Sequence, residues 1–135
     1  MLKQISSVVF REGTIYFHSG LNTILGDEKG SNSIGKSTLL MIIDFIYGGT
    51  SYIKENSDTV KHLGHHNFEF VLELGEKKYY FRRGTENSDI VEECNHMFIN
   101  TKNLKISEYT SILHNLYISD LIHISFRAAV STYLS

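Results

Sequence analysis

Gly30-Ser31-Asn32-Ser33-Ile34-Gly35-Lys36-Ser37 matches in full the pattern G-x-x-x-x-G-K-[ST], which builds a phosphate-binding loop when a strand precedes it and a helix follows. Both neighbours are predicted here. Residues 21–25, LNTIL, form a short apolar strand. From Lys36 to Tyr47 a helix is expected that is apolar on almost every face, and such a helix is a buried one. The motif and its neighbours therefore predict a mixed α/β fold.

The spacing of the motif follows from the chemistry of phosphate binding. Glycines let successive backbone N–H groups turn inward, and the helix that follows presents its unsatisfied amides and its positive dipole end to the same anion. Lys36 is placed to reach the β- and γ-phosphates, the Ser37 hydroxyl to ligate Mg²⁺, and Thr38 to add a contact to the α-phosphate. The predicted nucleotide-binding residues are Gly30, Ser31, Asn32, Ser33, Ile34, Gly35, Lys36, Ser37 and Thr38, with Ser37 as the metal ligand.

Length and composition restrict the class of protein. With 135 residues, 41% hydrophobic and 21% charged, the chain is expected to form one packed domain, residues 1–135. A net charge of −2 gives no support to nucleic-acid binding by bulk charge. The lone Cys94 excludes an internal disulfide, and no apolar run approaches the ~20 residues of a membrane span. A cytoplasmic protein without membrane partners is expected.

The remaining pattern predicts β-hairpins around the motif. Residues 5–10 and 14–17 are expected to form an antiparallel pair. Gly48-Gly49 ends the motif helix, and residues 50–65 are expected to form a polar loop or an edge segment without a clear period. Strict alternation from Phe68 to Leu74 predicts a hairpin that returns over residues 79–81. Weaker features are strands at 90–91 and 97–99 and a helix over 107–117 with Ser107 as its N-cap.

The motif region resembles a known family. Residues 20–26, GLNTILG, followed by the motif and a helix that ends Phe45-Ile46-Tyr47-Gly48, resemble the N-terminal part of an ATPase head in the SMC, RecN and double-strand-break-repair superfamily of ABC-type proteins. Residues 26–38 with 41–45 are more closely similar to SMC-like ATPases of bacterial ABC-three-component and Lamassu-type phage-defence systems. Two features depart from the wider superfamily: Ser33-Ile34 stands where most heads have Gly-Ser, and residues 27–30 lengthen the approach to the loop.

The resemblance implies the N-terminal lobe of a P-loop NTPase head, with antiparallel β-hairpins, that binds ATP and Mg²⁺ and is incomplete without a C-terminal half. That half or a second head is the implied partner, and DNA a further one, in repair or anti-phage defence. By position, Arg11 corresponds to an arginine that packs on the adenine in such heads, although an exposed turn arginine is an equally good interpretation.

Several pieces needed for hydrolysis are missing. The best Walker-B lookalike, residues 40–44, lies on the motif helix itself, which puts Asp44 about 12 Å along the axis from Lys36 and out of reach of the metal. No Leu-Ser-Gly-Gly-type signature is present, and the only glutamine, Gln4, precedes the loop. We therefore expect the chain alone to bind ATP weakly or not at all and to hydrolyse none.

Two other function classes stay open. One is a non-catalytic interaction or regulatory module derived from such a head. The other is a small nucleotide kinase or GTPase, against which stands the absence of a second carboxylate motif and of an Asn-Lys-x-Asp sequence. Two side-chain groups are weaker candidates for a site. One is a basic and aromatic hairpin that could contact DNA, with Lys77, Lys78, Arg82 and Arg83. The other is a scatter of residues without zinc-type spacing, namely His62, His65, His66, His96 and Cys94.

Overall fold

The computed structural model describes residues 1–17 and 35–134, without the side chains of residues 120 and 122–134. In chain order the elements are β1 (Leu2–Ser6), β2 (Thr14–Tyr16), α1 (Lys36–Ile46), α2 (Ser51–Glu55), α3 (Ser57–Leu63), β3 (Asn67–Leu74), β4 (Lys77–Gly84), β5 (Ile90–Cys94), β6 (Asn100–Lys105) and α4 (Ile106–Leu134). The strands form one antiparallel sheet in the order β2-β1-β3-β4-β5-β6. The predicted strand over residues 21–25 lies outside the described residues.

The central hairpin β3–β4 confirms the alternation predicted from the sequence. Phe70 pairs with Phe81, and both side chains are buried on the inner face of the sheet. The two-residue turn at Gly75 and Glu76 has positive φ angles of 58° and 71°. Such a turn matches the right-handed twist of the flanking strands, so the hairpin closes without splaying.

The core lies between the inner face of the sheet and the helices. Phe68 is its hub, because the Phe68 ring contacts the rings of Phe10, Phe45, Tyr52 and His66 with centroid separations of 6.3, 5.7, 5.2 and 5.4 Å. Most of these pairs are tilted or edge-on, the geometry that the ring quadrupoles favour. This cluster fixes α1 and α2 against β3.

The motif helix α1 is buried on one face only. Ile42, Phe45 and Ile46 have no exposed surface, whereas Leu40 is 55% exposed. The prediction of a helix buried all round is therefore wrong for the described part of the chain. A helix that lies on a sheet covers it with one stripe of residues, and hydrophobic residues elsewhere on its surface are common.

The first strand ends earlier than its apolar pattern predicted. β1 stops at Ser6, and residues 7–13 form a turn in which the Ser7 amide donates to the Gly13 carbonyl (2.9 Å) and the Gly13 amide to the Phe10 carbonyl (3.0 Å). Phe10 is nonetheless 3% exposed, because the turn folds its ring onto Phe68. Phe10 is an apolar residue with a buried side chain, and the apolar pattern therefore predicted a strand where the chain forms a turn.

Residues 50–65 are also different from the prediction. They contain the short helices α2 and α3 instead of a polar loop, and Tyr52 on α2 is only 1% exposed. Its ring packs on Phe45 and Phe68. Helices this short are stable in water only through such tertiary packing, which a search for helical periodicity does not detect.

The last strand lies later in the chain than predicted, and the last helix is longer than predicted. Residues 97–99 belong to the turn before β6, where the Asn95 Oδ1 accepts hydrogen bonds from the amides of Met97 (2.9 Å) and Ile99 (3.1 Å). Ser107 lies inside α4, not at its N-cap, since the helix begins at Ile106 and runs to Leu134. The expected buried face is confirmed, with Tyr109 and Leu113 in the core.

Tyr52 predicts an alkaline limit to stability. Its burial raises the pKa from the usual 10.0 to about 12. Because the folded chain keeps this proton more tightly than the unfolded chain, stability is complete below pH 10 and falls as the pH rises toward 12, by about 2 kcal/mol from Tyr52 alone. Urea unfolding at pH 9, 10 and 11 should show a shallower decline in the variant Tyr52→Phe. Equal slopes in both proteins would contradict this assignment.

Candidate functional site

The first turn of α1 brings the described part of the motif together. Gly35 is the N-cap, with an extended backbone (φ −70°, ψ 161°), and its carbonyl accepts the first helical hydrogen bond from Leu39 (3.1 Å). Lys36 and Ser37 are exposed in this turn, and Thr38 is half-buried. Residues 30–34, which carry the rest of the predicted loop, lie outside the described residues.

This end of α1 has no cap from a side chain of the described residues. No side-chain oxygen accepts a hydrogen bond at the N-cap, and the first turn contains no acidic residue. The first amides of a helix have no partner within the helix itself, and the helix dipole adds positive potential at the same place. The arrangement suits an anion, and the Lys36 side chain adds a positive charge beside it.

Arg11, the residue proposed from its position to pack on adenine, lies in the turn after β1. It is exposed and lines an open cleft of about 780 Å³. The other residues that line this cleft include Ser7, His65, Asn67, Glu69 and Arg82. A cleft of this size is within the usual range for small-molecule sites.

Arg82 forms the charged wall of the cleft. Its guanidinium lies 2.9 Å from a Glu69 carboxylate oxygen and 3.3 Å from one of Glu92. These residues occupy one cross-strand row on the outer face of the sheet, since Glu69 pairs with Arg82 and Arg82 with Glu92. Burial acts to lower the pKa of Arg82, but the hydrogen bonds to Glu69 and Glu92 outweigh it and raise the pKa. Arg82 is thus held by protein carboxylates.

The buried histidine of the scatter is a structural residue. His66 is 6% exposed, its Nε2 lies 2.8 Å from the Tyr52 hydroxyl, and its Nδ1 lies 2.9 Å from the Gly64 carbonyl. The carbonyl can only accept, so Nδ1 donates to it, and Nε2 accepts the hydrogen bond that the Tyr52 hydroxyl donates. Both ring nitrogens are occupied. Within residues 1–17 and 35–134, no three His, Cys, Asp or Glu side chains are grouped to hold a metal ion.

Asp44 lies at the end of α1 that is opposite to Lys36. A Cβ atom at Gly49 would approach the Asp44 carboxylate to 2.0 Å, so this carboxylate lies against the turn that ends the helix. The separation from the first turn agrees with the expectation that Asp44 cannot reach a metal bound near Ser37.

Arg83 corrects the interpretation of the basic hairpin as a surface cluster. Its side chain is 1% exposed and lies on the inner face of β4, opposite Phe68 and Val91. Its NH1 donates to the carbonyls of Phe45 (2.6 Å) and Gly49 (2.8 Å), and its Nε to that of Ser88 (2.8 Å). This role was not predicted from the sequence. The available signal was the two-residue spacing from Phe81, which places Arg83 on the same buried face of β4.

The lysines of the same hairpin remain on the surface. Lys77 and Lys78 are exposed, and the Lys77 ammonium lies 5.3 Å from the centre of the Tyr79 ring. With Arg82 paired and Arg83 buried, only these two cations of the four are presented outward. Cys94 is buried, and burial raises the pKa of its thiol, so this residue packs as a small hydrophobic side chain.

The helices of the described residues include none with the length and apolar character that a bilayer span requires. This holds also for the 29-residue α4 over its described portion.

The comparisons with known proteins agree with the motif. The family model described as AAA domain matches residues 2–129, nearly the whole chain. No curated protein matches the chain. No solved structure matches it. The mixed α/β architecture with an antiparallel sheet is consistent with an ATPase of this type. The chain therefore belongs to the AAA domain family, as an SMC-like ATPase segment of the nucleotide-binding type.

Proposed function

We propose that the chain binds Mg²⁺-ATP through residues 30–38 and forms the N-terminal lobe, residues 1–135, of a P-loop ATPase head. One observation carries the proposal. The helix that begins at the Lys36-Ser37 pair of the motif has an N-terminal turn that no described side chain caps, with both of these residues exposed. The motif and the start of the helix thus fall on the same residues, and family membership supports nucleotide binding by the chain.

Each motif residue has a distinct role in this proposal. The amides of residues 30–38 hold the phosphates, and the Lys36 ammonium neutralises the β- and γ-phosphates. The exposed Ser37 hydroxyl is a hard oxygen ligand of the kind that Mg²⁺ takes, so the residue present fits the metal. Ser37 would hold the Mg²⁺, and the bound metal would supply positive charge that neutralises the phosphates. Thr38 contacts the α-phosphate, and Arg11 packs on the adenine at the mouth of the cleft.

The chain is proposed to need a partner for hydrolysis. Phosphoryl transfer requires a carboxylate near the metal and a group that positions the attacking water. Asp44, the nearest candidate along the chain, lies at the far end of α1. A C-terminal half of the head or a second head would supply these groups. By the resemblance, the complete ATPase would act on DNA in the cytoplasm, in repair or in defence against phage.

The test is a titration of the purified chain with a fluorescent Mg²⁺-ATP analogue. We expect weak saturable binding, no turnover, and at least tenfold weaker binding after Lys36→Ala, since a hydrogen bond to a charged group contributes about 1.5–3 kcal/mol. Lys61→Ala, at an exposed lysine on α3, is the matched control and should bind as the wild type does. Of the two expectations from the sequence, weak binding or none, the proposal requires the first, so absence of saturable binding, or equal loss in both variants, would refute it. Turnover abolished by Lys36→Ala would refute the need for a partner.

A non-catalytic interaction module is the second candidate. Among the described strands β2 pairs with β1 alone, and Tyr16 on it is 63% exposed, so this edge of the sheet offers backbone groups to another chain. The same titration separates the two functions. A module that acts only by pairing would retain its affinity for a full-length head after Lys36→Ala and would lose it when Tyr16, whose amide faces away from β1, is replaced by proline.

A further inference from the structure

The two ends of α1 are held in opposite ways. Its N-terminal turn lacks a side-chain cap from the described residues, whereas its C-terminal carbonyls are taken up by groups from distant elements. The Phe45 carbonyl accepts a hydrogen bond from Arg83 of β4, and the Ile46 carbonyl accepts one from the Tyr109 hydroxyl of α4 (2.7 Å). The last carbonyls of a helix have no partner within it, so such contacts determine where the helix end lies.

Arg83 makes the larger share of these contacts. One guanidinium joins three backbone carbonyls: Phe45 in α1, Gly49 in the turn after it, and Ser88 in the turn after β4. The guanidinium of Arg83 also lies over the Phe45 ring, with the guanidinium carbon 4.1 Å from the ring centre. The planar fork of an arginine can satisfy several acceptors in fixed directions, which the single ammonium of a lysine cannot do.

Arg83 is held as a cation at a helix C-terminus. Burial lowers its pKa, and this is opposed by the electrostatic attraction of Tyr109, Asp89 and Asp44. No carboxylate of the described residues forms an ion pair with it, so the carbonyl groups and the negative end of the α1 dipole provide its main partners. A buried charge with partners so directional fixes the geometry around it, because any displacement leaves the guanidinium unsatisfied.

Because α1 is long, a small rotation about its C-terminal end moves its first turn by a large distance. The helix rises about 15 Å from Lys36 to Ile46, so a tilt of about 10° about its C-terminal end would move the first turn by about 2.5 Å. Amide hydrogen bonds to phosphate oxygen need N···O separations of about 2.7–3.2 Å. A tilt of that size would therefore break them.

We infer that Arg83 is a positioning residue of the phosphate site: by fixing the C-terminal end of α1 to β4, it sets where the amides of residues 35–38 meet the phosphates. This inference rests on the proposed function for its role in ATP binding. The effect on the position of the first turn, however, is a property of the nucleotide-free chain and can be measured without a ligand.

The experiment compares Arg83→Lys and Arg83→Gln with Lys78→Gln, which changes an exposed cation on the same strand. At a temperature where all variants are folded, ¹⁵N–¹H spectra of the nucleotide-free chains are recorded, and Mg²⁺-ATP and inorganic pyrophosphate are titrated. We expect the amide resonances of residues 35–38 to move in both Arg83 variants. Affinity should fall at least fivefold, by the same factor for ATP and pyrophosphate, with less loss in Arg83→Lys. Lys78→Gln should change neither property.

Three outcomes are decisive. Folded Arg83 variants with unchanged resonances at residues 35–38 overturn the inference, whatever the chain binds. Moved resonances with no saturable ATP binding in the wild type refute the proposed function and leave the positioning of the first turn standing. If neither Arg83 variant folds, hydrogen exchange in the wild type replaces them: Mg²⁺-ATP should slow the exchange of amides 47–49 and 84–89 but not that of 95–100, and equal rates would overturn the inference.

Discussion

Replacement of Phe68 by alanine is expected to lower the free energy of unfolding by about 4 kcal/mol, the largest effect of any single truncation in the core. Phe68 has no exposed surface, and its ring touches four other rings, from the turn after β1, from α1, from α2 and from the residue before β3. Truncation leaves a cavity where several elements converge, and a close-packed interior closes such a cavity only in part. Urea denaturation followed by circular dichroism measures the change.

Leu40→Ala is the matched control for this prediction. Leu40 is a large apolar residue on the same core-packing helix, but it is 55% exposed, and alanine has the higher helix propensity. Its effect should stay within about 0.5 kcal/mol. A loss of less than about 2 kcal/mol in Phe68→Ala, or similar losses in both variants, would show that the aromatic cluster does not hold the helices to the sheet.

Gly48→Ala is the second large effect that we expect, a loss of about 3 kcal/mol. Gly48 ends α1 with φ at +104°, a conformation in which an L side chain is strained, at a cost of about 1–2 kcal/mol. An added Cβ would also lie 2.6 Å from Cγ2 of Thr110 on α4, and overpacking of this kind costs a further 1–3 kcal/mol. The same unfolding assay measures the sum.

Two controls separate these terms. Gly64→Ala changes a glycine with φ at +85° and with no atom within 4 Å of the added Cβ, so it should show the backbone cost alone. Thr110→Ser removes the obstructing methyl group, and combined with Gly48→Ala it should restore the part of the loss due to contact with α4. If the double variant is no more stable than Gly48→Ala, the contact between α1 and α4 is not as the structure describes it.

Contacts from several elements meet at the C-terminal end of α1. Arg83 from β4, Tyr109 from α4 and the Tyr47–Tyr117 hydroxyl pair (2.7 Å) all meet there. Burial raises the pKa of Tyr109 well above its ordinary value and also raises that of Tyr47, so both hydroxyls stay protonated and able to donate at neutral pH. The candidate nucleotide site lies at the other end of the helix, the end that no side chain of the described residues caps.

The outer face of the sheet contributes differently. Its ion pairs, Lys3–Glu73 (3.7 Å) and Arg82 with Glu69 and Glu92, are partly exposed. Pairs of this kind contribute little to stability, and we expect them to define the surface rather than to hold the fold. They also explain why the basic residues of the hairpin offer a smaller positive surface than their number in the sequence indicates.

The sequence by itself determined the central hairpin, the start and end of α1, and the buried face of α4. Each of these depends on a period in the chain or on glycines next to it, and such local signals act before any long-range contact forms. The motif likewise predicted Lys36, Ser37 and Thr38 at the start of a helix, and the structure has them in its first turn, with Gly35 as the N-cap.

Only the tertiary structure decided the rest. Arg82 and Arg83 are adjacent and chemically identical, yet one lies between carboxylates on the outer face and the other is buried under α1. The burial of Arg83 depends on the carbonyls of Phe45 and Gly49, 38 and 34 residues away in the chain. The short helices at residues 51–63 depend in the same way on Tyr52 meeting Phe45 and Phe68. A buried charge and a five-residue helix are both unstable alone, so their positions follow from the partners that the fold supplies.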